Sequence, residues 1–180
     1  MTFDEYVVLA QRTASTKTNA DKVGHGCLGL IGEAGEVVDI VKKMTYMGMT
    51  DEMGREKLID EIGDCCWYIA EWCTGSGNDM QAIFDRAANA SSIDDRYPII
   101  NYAVHIAEIA CELWQEIDIG MEDNDILCGD VRTIAACIKS ICYKINATLE
   151  EVLVHNIDKL RKRYPEGFSV DRSNVRYEHG

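Results

Sequence analysis

The chain has 180 residues, 47% of them hydrophobic and 27% charged, with two prolines, which suits one packed helical domain and excludes a disordered chain. Its formal net charge of −13 provides no concentrated basic stripe for a phosphate backbone, so no nucleic-acid polymer is expected as a partner. Met1 to Ala10 shows no basic leader followed by an apolar core, and no run of about 18 apolar residues occurs, so the expectation is a cytoplasmic protein with no membrane partner.

Helical periodicity runs through most of the chain and predicts an all-α fold. Helices are expected near residues 3–14, 24–46, 53–75, 79–90, 97–118, 127–145 and 148–162. In the second, Ile31, Ala34, Val38 and Val41 fall on one face, and in the third Leu58, Ile62, Cys65, Ile69 and Cys73 do the same. Asp79 after Gly77 is a candidate N-cap, and Thr148 with Glu151 three residues on is a capping-box signature. Residues 1–170 read as a single domain, with an acidic half at 1–90 and a second half at 91–170, followed by a polar tail at 171–180 expected to be poorly ordered. Met80 to Ala90 and Leu149 to Lys159 share a turn-plus-helix pattern at an offset of 69 residues, consistent either with a worn duplication or with two generic amphipathic hairpins. On that offset Asp64 meets Thr133, so a related second half would have lost acidic residues of the first.

Eight cysteines invite a disulfide reading, but Cys65 and Cys66 are adjacent and Cys111, Cys137 and Cys142 occupy apolar helical positions. Reduced thiols are expected, and with no C-x-x-C pair a zinc site is not. The histidines at 25, 105, 155 and 179 form no metal-spaced pair; His25 lies near the start of the acidic helix and receives no assigned role. Trp67, Trp72 and Trp114 read as core aromatics before base-stacking platforms, and Tyr68 shares the ambiguity.

The chemistry is concentrated in two acidic pairs. Glu33 and Glu36 are three residues apart on one predicted helix, and Glu61 and Asp64 repeat the spacing on the next. Positions i and i+3 share a face, so antiparallel packing brings four carboxylates together. Spacing alone better describes the wet faces of two amphipathic helices. The glycines at 29, 32, 35 and 63 tilt the balance, because each helix-interior Gly costs roughly 0.5–1 kcal/mol against Ala and a merely solvated face has no need of it. Close helix approach or ligand access to backbone is the expected reason. An all-oxygen donor set favours Mg²⁺, with Mn²⁺ as a substitute, over zinc.

The stretch Gly29-Leu-Ile-Gly-Glu-Ala-Gly-Glu-Val-Val-Asp39, followed by Lys57-Leu-Ile-Asp-Glu-Ile-Gly-Asp-Cys-Cys-Trp-Tyr68, resembles the E-x-x-E and E-x-x-D motifs of the MazG-like nucleotide pyrophosphohydrolases. Asn156-Ile-Asp-Lys-Leu-Arg-Lys-Arg-Tyr-Pro-Glu-Gly-Phe168 resembles the segment that closes many short members. The resemblance implies a MazG-like helical bundle in which Glu33, Glu36, Glu61 and Asp64 bind Mg²⁺. The implied reaction is hydrolysis of a nucleoside triphosphate between its α- and β-phosphates, giving monophosphate and pyrophosphate by metal-activated water. Glu33 is the candidate for orienting that water. Lys42, Lys43, Asn156, Lys159, Arg163 and Tyr164 are candidate substrate contacts; the plain alternative for Lys42 and Lys43 is a cation at a helix C-terminus, and for the 159–163 run a solvated basic helix end. The family usually assembles across a dimer interface, which implies a homodimer or higher homo-oligomer. About 70 residues from 79 to 147 depart from the short-member pattern, and this internal second half is expected to replace a partner subunit or to form a lid.

Three other readings stand beside it. A di-iron bundle requires a Glu-x-x-His element that follows none of the four acidic residues. The acidic run Met121 to Asp125 fails as a calcium loop, since a register starting at Asp123 puts Leu127 at a ligand position and Cys128 where Gly belongs. A non-catalytic bundle that binds nucleotides or a partner protein is the alternative to the enzyme.

Overall fold

A computed structural model of the chain describes residues 1–87 and 97–167. The described residues form α-helices and no strand: α1 (Phe3–Gln11), α2 (Asn19–Tyr46), α3 (Asp51–Ser76), α4 (Met80–Arg86), α5 (Ile99–Asp118), α6 (Asn124–Lys144) and α7 (Leu149–Arg163). The all-α expectation is therefore met. The tail at 171–180, Phe168 of the closing motif, and positions 88–90 of the helix expected to end at 90 lie outside the described residues.

Capping explains where the helices differ from their expected bounds. α2 begins at Asn19 rather than near 24 because Thr18 caps it, accepting from the Asp21 N–H while the Asp21 carboxylate returns to the Thr18 N–H. α6 begins at Asn124 rather than near 127 because Asp123 accepts from the N–H groups of Asp125 and Ile126. The acidic run at 121–125 is thus in part a helix start, where negative charge is favourable. Asp79 caps α4 as its sequence suggested. Thr148 caps α7, and Glu151, three residues on, is held by Arg55 of α3 at 2.8 Å. α3 ends at Gly77, whose φ of 74° is a left-handed conformation open to glycine at no steric cost.

α2 and α3 pack antiparallel along most of their lengths. Their register is fixed by small-to-large contacts: Gly26 against Trp72, Gly29 against Tyr68, and Gly54 against Met44. The α5/α6 hairpin lies on α2, and α6 also touches α3, closing a four-helix ring. At its centre Leu30 of α2, Trp72 of α3, Leu113 of α5 and Val131 of α6 meet around one narrow apolar void. Each such side chain contributes about 1.5–3 kcal/mol on burial. Truncating the fully buried Ile62 to Ala costs about 2–5 kcal/mol.

α7 runs parallel to α3 on the side away from that hairpin. Arg55, Asp60 and Asp64 of α3 meet Glu151, His155 and Lys159 of α7 in succession. α1 packs beside α3, α4 and α7, with Phe3 stacked on Phe84 at 4.6 Å between ring centres and Tyr6 fully buried. All eight cysteines are free thiols, seven of them buried. Among the described residues, no helix is long and apolar enough to cross a membrane.

Candidate functional site

The antiparallel register places Glu33 of α2 opposite Glu61 and Asp64 of α3. One oxygen from each of the three lies within 4.8 Å of the others. Glu33 is 9% exposed, and Glu61 and Asp64 are half-buried. Glu36, one turn along α2, is exposed at the mouth of the group, where its charge still acts on Glu61. Three of the four acidic residues singled out in the sequence therefore converge, and the fourth lies at the rim.

Electrostatics mark this as a strained set of like charges. Burial, followed by the negative charges of Asp64 and Asp60, raises the Glu61 carboxyl above its ordinary value, against the opposing pull of Lys159. Glu61 Oε2 is enclosed by protein and has no hydrogen-bond partner. A buried carboxylate oxygen in that condition is costly unless a cation or donor reaches it.

α7 supplies the counterweight. Asn156, fully buried, donates from Nδ2 to Asp64 Oδ1 at 2.8 Å, while its own Oδ1 accepts from the Tyr6 hydroxyl at 2.9 Å. Lys159 Nζ reaches Asp64 Oδ2 and Asp60 Oδ1, each at 2.7 Å. Burial works to lower the Lys159 pKa, but Asp64 and Asp60 outweigh it and the ammonium is held above its usual value. Asp64 is thus gripped on both oxygens by Asn156 and Lys159, two of the three α7 residues that the sequence had suggested for substrate.

The remaining candidates are placed differently. Lys42 and Lys43 both pair with Asp39, one turn beyond Glu36, so they stand at the edge of the acidic group and not within it. Arg163 lines a surface cleft with His155, Asp158, Lys159 and Lys162, its guanidinium 5.1 Å from the Tyr164 ring centre. Tyr164 is buried beside Leu9, Arg12 and Thr13 of the α1 region, a packing position that the sequence did not suggest. Trp67 and Trp72 are also buried, and the Trp67 indole N–H is taken by the Ala10 carbonyl and the Thr13 hydroxyl.

The glycines divide by cause. A β-carbon at Gly63 would stand 2.9 Å from Asn156 Cβ, and one at Gly29 would overlap the Tyr68 ring at 2.0 Å. Gly32 and Gly35 have nothing within 4 Å, so helix packing does not explain them. They leave the surface beside Glu33 and Glu36 open.

Asp60, Tyr6 and the Gly63–Asn156 contact were not assigned site roles from the sequence. Asp60 is adjacent to Glu61 and had a spacing signal, since it lies four residues before Asp64 on the same helical face. Tyr6 carried none, because its partner is 150 positions away.

Comparison with known proteins adds little. No family model matches the chain, and no solved structure matches it. The chain is similar to the "Gene 37 protein" of Mycobacterium phage L5, 41% identical over 46 residues, which is 24% of this chain and 40% of that protein. The matched part thus spans about two-fifths of the relative's length.

Proposed function

We propose that the chain is a Mg²⁺-dependent nucleoside triphosphate pyrophosphohydrolase of the MazG-like type, with Glu33, Glu36, Glu61 and Asp64 as its metal-binding and catalytic residues. The observation that carries this reading is the convergence of Glu33, Glu61 and Asp64 oxygens within 4.8 Å, with Glu61 Oε2 enclosed and unpartnered. Oxygens bound to one Mg²⁺ at about 2.1 Å lie no more than about 4.2 Å apart, so small side-chain rotations close the set. The donors are all carboxylate oxygens, which fits Mg²⁺ or Mn²⁺ and not zinc.

Bound there, the ion would neutralise phosphate charge and acidify a water. Glu33, nearest to full burial, orients that water and receives its proton. Glu61 and Asp64 fix the opposite wall, and Asn156 and Lys159 prevent Asp64 from rotating away. Glu36 at the rim and the open surface over Gly32 and Gly35 admit the polyphosphate. Water adds at the α-phosphorus as the bond to the bridging oxygen breaks, so each turnover consumes one water and yields monophosphate and pyrophosphate. No covalent protein intermediate is required, and rate comes from positioning and charge stabilisation.

The homo-oligomer implied by the resemblance is part of this reading. The α5/α6 hairpin closes a four-helix ring within one chain, so a single copy contains the helix pairs a bundle needs. Light scattering coupled to gel filtration measures the assembly.

A non-catalytic nucleotide-binding or partner-binding bundle is the second reading. The Lys159 ammonium on Asp64 favours it, since that cation already neutralises part of the cluster. Purified protein incubated with ribo- and deoxynucleoside triphosphates and Mg²⁺ or EDTA, with products resolved by ion exchange, separates the two. Monophosphate and pyrophosphate appearing only with metal supports the enzyme; diphosphate with orthophosphate refutes the cleavage position. Metal-dependent stabilisation with no product supports the binding role.

A further inference from the structure

Two turns from the carboxylates, the same helix pair holds a second polar group that hydrolysis does not use. Glu71 of α3 is 0% exposed. Its Oε1 accepts from the Thr16 hydroxyl and its Oε2 faces His25 Nδ1, each at 2.5 Å. A fully enclosed carboxylate is costly, and pinning the α1–α2 connection through Thr16 would need only a neutral amide. With its Nδ1 on Glu71, the His25 imidazole still keeps 42% of its side chain exposed. The hydrogen bond to Glu71 raises the His25 pKa, against burial and the Lys22 charge that lower it. In its protonated form His25 has an Nε2–H donor to spare beside the bond to Glu71, and the raised pKa widens the pH range over which it carries that donor.

Aromatic surface lies beside that donor. The Tyr68 ring centre is 5.5 Å from that of His25, and Trp67 braces Tyr68 edge-on at 5.0 Å. Tyr68 occupies the space a β-carbon at Gly29 would take, so glycine at that position makes room for the ring. Along α2 the order is His25, Gly29, Glu33, Glu36, then Asp39 with its lysines. At 1.5 Å per residue His25 lies roughly 12 Å along the axis from Glu33. That is the scale on which a nucleoside reaches from its α-phosphate to the edge of its base, and it points away from the Lys42 and Lys43 end.

We propose that Tyr68 and His25 form the base-recognising end of the site: the nucleobase lies against Tyr68 while His25 Nε2–H donates to a carbonyl oxygen on the base edge. The substrates favoured are nucleotides with a keto base, as in uracil, thymine or guanine, over those presenting an exocyclic amine at that position, as in cytosine or adenine. Glu71 is a positioning residue that acts through His25. This inference rests on the nucleotide reading above but not on catalysis.

The test measures KM and kcat for dUTP, dTTP, dGTP, dCTP and dATP, together with calorimetric affinities for dUMP and dCMP, in wild type, His25→Ala, His25→Gln and Glu71→Gln. Loss of one charged hydrogen bond raises KM for the keto substrates by roughly ten- to a hundredfold in His25→Ala. The amino-base substrates change little and kcat stays within about twofold. His25→Gln keeps a donor and recovers part of the preference, whereas Glu71→Gln loses preference while the protein stays folded by circular dichroism, a result a purely structural role would not give. Equal KM values across bases in the wild type, or unchanged preference in His25→Ala, overturn the inference and leave the hydrolysis reading standing. Keto-selective binding of dUMP that is lost in His25→Ala, with no turnover of any triphosphate, upholds the base site and removes the enzyme. No binding of any nucleotide overturns both.

Discussion

Asn156 lies against Gly63 so closely that a β-carbon on the glycine would come within 2.9 Å of the asparagine's own Cβ. This contact sets the distance between α7 and α3, and therefore the reach of Asn156 and Lys159 to Asp64. Gly63→Ala is expected to push α7 outward and destabilise the fold by about 1–3 kcal/mol, the usual range for overpacking. Metal-dependent turnover should fall further than stability alone explains, because Asp64 loses its grip. Comparing thermal melts with rates measured well below the melting temperature checks this; unchanged rates in a destabilised variant would show that α7 is not needed to hold Asp64.

Tyr6 is the hidden support of the same unit. Its hydroxyl donates to Asn156 Oδ1 at 2.9 Å in a fully buried setting. Tyr6→Phe leaves that oxygen without its donor, at a cost of about 1–3 kcal/mol. Urea unfolding at constant m-value measures the loss, and an unchanged midpoint would mean the amide finds another donor.

The fold class was legible because the apolar period of 3.6 residues persists through α2, α3, α5 and α6, and the paired Glu/Asp spacings survived into a shared pocket. What was not legible depended on contacts across the bundle. The α2 start was missed because its capping box uses Asp21 in place of the usual Glu or Gln. Lys43 and Asp39 share a helix, yet four residues of spacing cannot say whether the ammonium turns to its own helix or to a phosphate. Tyr164 follows Arg163 directly, but α7 ends between them and the Tyr164 backbone, at φ −128° and ψ 65°, leaves the helical path, burying one side chain beside α1 and leaving the other on a surface cleft. Glu71 is set in an apolar helix face with nothing nearby in sequence to announce Thr16 and His25.

Glu61 should trade stability for metal binding. Its pKa is raised by burial and by Asp64 and Asp60, so the ionised form is disfavoured in the folded state. Wherever Glu61 is ionised, removing its charge relieves the fold. Glu61→Gln is expected to melt higher than wild type without metal, by about 2–4 °C for each kcal/mol relieved, and to lose the further rise that Mg²⁺ gives the wild type. Scanning calorimetry with Mg²⁺ or EDTA checks both halves; a full Mg²⁺ response in Glu61→Gln would remove Glu61 from the metal site.

Among the groups that make folding stability fall as pH rises, Asp130 and His25 act in separate windows. Asp130 of α6 is raised to about 6 by burial and then by its hydrogen bond and like charge with Glu116 of α5. Between the unfolded value near 3.9 and about 6 the folded state binds more protons than the unfolded one, so stability drops with rising pH there. His25 is raised by its hydrogen bond to Glu71, so its contribution is complete below about 6.5 and is lost as pH rises through its folded pKa, above that value. Carboxylates with lowered pKa, Asp60 among them, act oppositely in acid, so the wild-type curve alone does not separate these terms. Differences between variants do. Asp130→Asn should be more stable than wild type at pH 7, with the advantage vanishing by about pH 4, since the protonated acid and the amide are then alike. His25→Gln should leave that lower window unchanged and flatten only the upper one. Urea midpoints at half-unit steps from pH 4 to 9 read both; Glu61, also raised, leaves a residual slope, but a lower-window slope as steep in Asp130→Asn as in wild type would place the shared proton elsewhere than on the α5–α6 carboxyl pair.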